Sequence, residues 1–339
     1  MGALSGIKVL DVATLYPAPL LAAMLGDFGA DVVKVEPPTG DPLRAIGDIP
    51  WAIAGRNKRS VIVDFDTNDG LDLLHRLQGV ADVIVLNQPP RVLGRWSCSD
   101  AQIAERNPRA VIVHVSAFGS TGPHAERAGN GSLAEAFVGL GIGTAPVGDT
   151  MAATAGVIGV LAALYARDGN GGRDSQAADN ATGRGQVVDV SMYESLLPLL
   201  APALAGLASS SVRSRREIVD ANDGHAVAIM ATTDDQRARL REVVSGEDVA
   251  SWVATQSSSD AVAALLAARV PAVVVNDGAS LALDPQVVAR ASLAVVDGRT
   301  IPAPAPRLSI TPASVDHLGP ALGADTAAVV TEWLRGRTA

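Results

Sequence analysis

The sequence predicts an α/β fold with a mostly parallel, doubly wound sheet and a second, smaller α/β domain. Three observations carry this. Short Val/Ile/Leu-rich runs alternate with segments of helical period. The runs are dominated by Val, Ile and Leu with no strict apolar–polar alternation, as in strands covered on both faces. The strand–helix pattern restarts after residue 222.

Residues 7–12 (IKVLDV) read as a buried strand, and 17–29 as a helix with Pro17 and Pro19 near its start and Gly29 at its end. Strands follow at 31–36 and 60–65, then a helix at 69–79 and strands at 81–87 and 109–118. Residues 119–150 are Gly-rich loops around a short helix at 132–140, and 150–167 is a long apolar helix. The Gly/Asn/Asp-rich run 168–185 reads as an exposed loop, 187–204 as a strand entering a helix, and 205–220 as an Arg-rich linker. Beyond it come a strand at 225–232, helices at 234–244 and 259–268, and a strand at 271–276. The Pro-rich last forty residues read as an extended return segment closed by an amphipathic helix at 324–335. These patterns place a large domain over 1–205 and 301–339 and a small one over 222–300.

The chain has 339 residues, 48% hydrophobic and 19% charged, which is globular composition and excludes intrinsic disorder. A net charge of −9 argues against a general nucleic-acid binder. The single cysteine, Cys98, excludes an internal disulfide and a multi-cysteine metal site, and the scattered histidines form no ligand pair, so no metal is expected. No signal peptide is evident, and the apolar run Val157–Tyr165 is too short to span a bilayer. The expectation is a cytoplasmic protein with no membrane or nucleic-acid partner.

Few motifs carry chemistry by themselves. GLGIG (139–143) is a weak dinucleotide fingerprint because it does not follow a strand, and GNGSL (129–133) lacks the features of a serine nucleophile elbow. Asp149, ahead of the apolar helix, reads first as a helix N-cap. The same position suits a nucleophile for an activated carbonyl, with helix N–H groups beside it to stabilise an oxyanion. Arg91 and Arg95 follow a strand end, where open α/β sheets bind ligands, although solvated surface arginines are the commoner case. Arg56, Lys58 and Arg59 admit the same two readings; Asp11, Asp31 and Asp64 read as turn residues, and Asn87 as a ligand contact or a turn cap.

Several stretches together resemble the family III CoA-transferases, whose superfamily includes the α-methylacyl-CoA racemases. They are residues 4–44, with GADVVKVEPPTGD, then 57–87, 107–123 with FGSTGP, 147–166, 183–196, 270–293 and 307–326. The resemblance implies a Rossmann-like large domain built from both chain ends, a smaller domain from the middle, and two subunits interlocked as a homodimer. It implies an enzyme that moves CoA between carboxylic acids, with acyl-CoA and an acceptor acid as substrates. In such enzymes an aspartate forms a mixed anhydride and then an aspartyl-CoA thioester; counting back from GVLAALYA, that aspartate is Asp149.

Residue by residue, the resemblance assigns CoA contacts to Leu15, Tyr16 and Pro17, with Tyr16 in place of a frequent Gln. Val63, Asp66, Asn87 and Arg95 match further contacts; Gln88 replaces an aromatic, and Pro38 stands where many members carry Arg. Asn130, in the acyl pocket region, occupies the position of the racemases' His. An amide does not exchange protons near neutral pH, so two-base racemisation is disfavoured. The segment from Asn130 to Asp149 is about ten residues shorter than the family norm, and the Gly-rich loop that shields the transferase site is not evident around 205–224. The alternatives are therefore an acyl-CoA racemase or isomerase with an altered base, or a non-catalytic acyl-CoA-binding relative.

Overall fold

A computed structural model describes residues 1–141, 143, 145–169, 181–204 and 215–335. Met1–Ala201 with Ala294–Ala339 form one compact unit and Pro202–Leu293 a second.

The first unit is built on β1 (Lys8–Asp11), β2 (Asp31–Glu36), β3 (Lys58–Ile62), β4 (Val83–Leu86), β5 (Val111–Ser116) and β6 (Val187–Ser191). All pair in parallel, in the order β3-β2-β1-β4-β5-β6, with Val9 opposite Val32 on one side and Val83 on the other. Its helices are α1 (Pro17–Asp27), α2 (Leu43–Ile46), α3 (Asp48–Gly55), α4 (Asn68–Gln78), α5 (Pro90–Arg95), α6 (Asp100–Arg106), α7 (Gly131–Phe137), α8 (Val147–Asp168) and α9 (Met192–Leu204).

Successive strand residues point to opposite faces, and both faces are buried. Val9, Val83 and Val113 pack with Leu21 of α1 and Val160 of α8. Leu10, Ile84 and Ile112 pack with Leu74 and Leu77 of α4 and Ile103 of α6. Two covered faces explain why these strands read as unbroken apolar runs. Strand order reverses between β1 and β4, so the loops that leave their C-terminal ends diverge and open a crevice there.

Helix α8 begins at Val147, three residues earlier than its apolar pattern indicates, which places Asp149 inside the first turn and corrects its reading as the N-cap; Pro146 holds that position. Residues 215–220, read as linker, form a strand, and a β-hairpin over 293–302, unread in the sequence, precedes the extended return segment. Short helices over 43–55, 90–95 and 100–106 went unread because each is too short to show a period. Most of the loop expected at 168–185 (170–180) and the linker residues 205–214 lie outside the described residues.

The second unit pairs β7 (Arg215–Asp220), β8 (Ala226–Ala231) and β9 (Ala272–Val275) antiparallel. Helices α10 (Asp234–Val243), α11 (Val249–Ala254) and α12 (Ser258–Ala267) cover one face, burying Ile229, Leu240, Val253 and Leu265. Short helices α13 (Gly278–Leu283) and α14 (Pro285–Ala289) follow. The chain then returns to the first unit through β10 (Leu293–Val296) and β11 (Arg299–Pro302), where Val296 and Ile301 pack on Ala52 and Leu318. Helix α15 (Thr326–Trp333) closes the edge of β3: Ser60 N–H donates to Asp325 and Ile62 N–H to Thr326. Those groups would otherwise form an open sheet edge.

Charged residues are buried beneath the β1 end of the crevice. Lys58 Nζ donates to Asp11 Oδ2 at 2.7 Å and to the Pro19 carbonyl at 2.6 Å. Burial pushes the Lys58 ammonium down to about 8, against the pull of Asp11. Lys34 Nζ lies 3.0 Å from Asp41 Oδ2 and 3.9 Å from Asp11 Oδ1, and donates to the Ala13 carbonyl. Asp11 is thus a buried counter-ion and not a turn residue. Removing one partner of a buried pair strands the other, so Lys58→Met is expected to cost about 3–5 kcal/mol of unfolding free energy, read from the urea midpoint. A loss below about 1 kcal/mol, as for an exposed pair, would contradict the network's structural role.

Candidate active site

The loop between β1 and α1 is held by side chains from three other segments. Thr14 N–H donates to Asn87 Oδ1 (2.9 Å) and Asn87 Nδ2 to the Thr14 carbonyl (2.8 Å), tying the loop after β1 to the end of β4. Gln88 Nε2 donates to the Val12 carbonyl, and Lys34 to that of Ala13. Leu15 sits at φ +67°, a left-handed conformation unfavourable for a residue with a Cβ. Asp41 compensates: its Oδ1 accepts from the N–H groups of Leu15 (3.1 Å) and Leu43 (2.8 Å). The result presents Leu15 to solvent and leaves Tyr16, the N-cap of α1, within electrostatic reach of Asp149.

Pro17 is buried as the first residue of α1. Asn87 retains one amide proton beyond the pair with Thr14. Arg95 lies at the exposed end of α5 near Arg91, with no ion pair for either among the described residues. Val63 follows β3 with its side chain in the core and its N–H on the Glu36 carbonyl, leaving its own carbonyl as its polar group toward a ligand. Asp66 is exposed in the following turn, and its N–H rests on Asp64. These two sit at β3, separated from β1 by β2, whereas Leu15, Tyr16, Pro17 and Asn87 converge at the crevice. The remaining cations of interest are structural: Arg56 clasps Asp27, and Arg59 pairs with Asp31 and Glu332.

Asp149 is partly buried on α8. Its neighbour is the start of α7, capped by Asn130, whose Oδ1 accepts from Leu133 N–H at 3.0 Å. The approach is close enough to need two glycines. A Cβ on Gly131 would lie 2.5–2.8 Å from the Asp149 carboxylate, and one on Gly148 would lie 2.8 Å from the Gly131 carbonyl. The Gly131 backbone N–H lies beside the Asp149 carboxylate and favours its charged form, and Glu135 Oε1 accepts from Gly148 N–H at 2.8 Å.

Burial is the main cause that raises the Asp149 carboxyl above the ordinary range, followed by the nearby Glu135 charge; the Gly131 N–H opposes both. A helix N-terminus favours a carboxylate, yet desolvation prevails here. Tyr16 is likewise raised, by burial first and by Asp149 in part, against Arg56, so its phenol stays protonated as a donor at neutral pH. Sequence reasoning expected the first N–H groups of α8 to serve an oxyanion. Three are engaged: Val147 on Ala145, Gly148 on Glu135 and Thr150 on Pro146.

Gly131, Gly148, Glu135 and Asp41 escaped the sequence reading. The one visible signal was GNGSL itself, whose glycines serve close packing and not a serine: Gly129 lies against Phe118, and Gly131 against Asp149.

The profile of CoA-transferase family III matches residues 4–251 and 233–326. The alpha subunit of succinyl-CoA–L-malate CoA-transferase from Chloroflexus aurantiacus is 31% identical, over 98% of this chain and 89% of its own length. The succinate–glutarate CoA-transferase of Agrobacterium fabrum is 28% identical, over 97% and 95%. Among solved structures, a CAIB/BAIF family protein from Brucella suis superposes with a TM-score of 0.86 at 25% identity, covering 98% of this chain and 99% of that one.

Proposed function

The chain belongs to CoA-transferase family III and is a CoA-transferase, and on that premise we propose that Asp149 is the group that carries acyl and CoA in turn between two carboxylic acids. The observation that carries this reading is the setting of Asp149: a half-buried carboxylate in the first turn of α8, packed so closely on the start of α7 that only glycine fits at 131 and 148, and within electrostatic reach of Tyr16.

An Asp149 oxygen attacks the thioester carbonyl of the donor, and the C–S bond breaks to give a mixed anhydride and CoA thiolate. The thiolate attacks the aspartyl carbonyl of the anhydride, the first acid leaves as carboxylate, and an aspartyl-CoA thioester forms. The acceptor carboxylate attacks this thioester, releasing thiolate and forming a second anhydride. Thiolate attack on the acceptor's acyl carbon then gives the new acyl-CoA and restores Asp149. No net proton is needed. The raised basicity of Asp149 suits a nucleophile, and Tyr16 O–H donates to the carbonyl oxygen as charge develops on it.

Leu15, Tyr16, Pro17 and Asn87 line the crevice for CoA, and unpaired Arg95 suits its phosphates. Asn130 leaves no proton-exchanging partner at the position the racemases use, which favours transfer over racemisation. The relatives named above take succinyl-CoA, malate, succinate and glutarate, so short dicarboxylates are the first donors and acceptors to assay. Exposed apolar residues Leu133 and Phe137 on α7, with Ile158, Leu161 and Tyr165 on α8, support the interlocked homodimer.

Acyl-CoA supplied with hydroxylamine is expected to leave a hydroxamate at Asp149, read by peptide mass spectrometry. An unmodified Asp149 under conditions of turnover would overturn the covalent reading, and an unmodified protein without turnover would mark a CoA-binding relative.

A further inference from the structure

We propose that Glu135 is a positioning residue for the transfer reaction, fixing the first turn of α8 and setting the electrostatic surroundings of Asp149. The inference rests on the reading of Asp149 as nucleophile.

The N-cap of helix α8 is Pro146, which offers no side-chain cap. Helix starts leave N–H groups in need of acceptors. Here the acceptor comes from another helix: Glu135 of α7, 3% exposed, reaches across to the N–H of Gly148, the residue before Asp149. The tight contact of Gly131 with both Gly148 and Asp149 locks the same turn from the other side.

Capping alone would not call for a charge. A glutamine amide oxygen would accept the same N–H, and burying a carboxylate is far more costly than burying an amide. The feature particular to Glu135 is its negative charge beside Asp149. The groups that act on Asp149 are Glu135 from α7 and the Gly131 N–H, with Tyr16 within electrostatic reach from the turn into α1; Arg56 acts on Tyr16 and is held by Asp27. No cation among the described residues acts on Asp149. Ionised Asp149 is therefore held more basic, and attack on the thioester relieves the repulsion, because its negative charge leaves on the thiolate as the anhydride forms.

The test is the pH profile of kcat/KM for wild type, Glu135→Gln and Glu135→Ala, each paired with hydroxylamine trapping at Asp149. Glu135→Gln keeps the bond to Gly148 and removes the charge. It is expected to retain trapping and transfer while its acid limb moves to lower pH, since Asp149 then ionises more easily. Glu135→Ala also loses the cap, and its turnover falls by about tenfold or more. A purely structural Glu135 would not move the profile in the Gln variant. An unmoved acid limb in Glu135→Gln, or a Gln variant as impaired as Ala, overturns the proposal while wild-type trapping leaves the nucleophile in place. Loss of trapping in the wild type overturns the nucleophile, and this proposal with it.

Discussion

Asp149→Asn is expected to lower CoA transfer by at least about 10³-fold while the protein stays folded. The amide has nearly the same shape and volume, so the close approach of the two helix starts survives. What disappears is the nucleophile. The same substitution is expected to raise thermal stability at neutral pH. Burial and Glu135 hold the folded-state carboxyl above its ordinary range, so the folded protein binds a proton there more tightly than the unfolded chain. Stability from this group is full in acid and falls as pH rises through the raised value. The Asn variant escapes that loss, and its advantage in melting temperature is expected to fade as pH falls below the ordinary carboxylate range. A variant with near-normal transfer, or one less stable than wild type at neutral pH, would contradict the placement of Asp149.

Gly131→Ala is the second large effect. Its methyl carbon would lie 2.5 Å from Asp149 Oδ1 and 2.6 Å from Cγ, inside contact distance, so the carboxylate must move. A displacement of about 1 Å in a reacting group can cost about 100-fold, and a drop of that size in kcat is expected. The displaced carboxylate is also misaligned for attack, so trapping by hydroxylamine should slow in parallel. A kcat within a few-fold of wild type would show that Asp149 is free to reposition, and the close approach of the two helices would lose its catalytic meaning.

The sheet was legible because its strands are buried on both faces. Runs such as VIVL at 83–86 and VIVHV at 111–115 have no polar side to disguise them. The short helices were not, since a helix such as Leu43–Ile46 is too brief to show a period. The position of Asp149 was legible, but only the family resemblance raised it above an ordinary cap. Its supporting residues were hidden for a physical reason. Glu135 in SLAEAF looks like the polar side of an exposed helix, Lys34 like a solvent-facing strand position, and Lys58, ahead of the strand expected at 60–65, like a surface cation. Their burial depends on partners outside their own helix or strand: Gly148 for Glu135, Asp41 for Lys34, Asp11 for Lys58. Periodicity reports local neighbours and carries no information on such pairings. The glycines of GNGSL were visible, yet their purpose appears only once α7 and α8 meet.

The central claim is that Asp149 becomes covalently joined to both acids in turn. Turnover with an acceptor carboxylate labelled with heavy oxygen tests it most directly. In the second anhydride the bridging oxygen comes from the acceptor, and thiolate attack on the acceptor's acyl carbon leaves that oxygen on the aspartate. Mass spectrometry of the active-site peptide is therefore expected to find heavy oxygen in the Asp149 carboxylate, and in no other residue, after turnover. Sustained transfer that leaves Asp149 unlabelled would contradict the account.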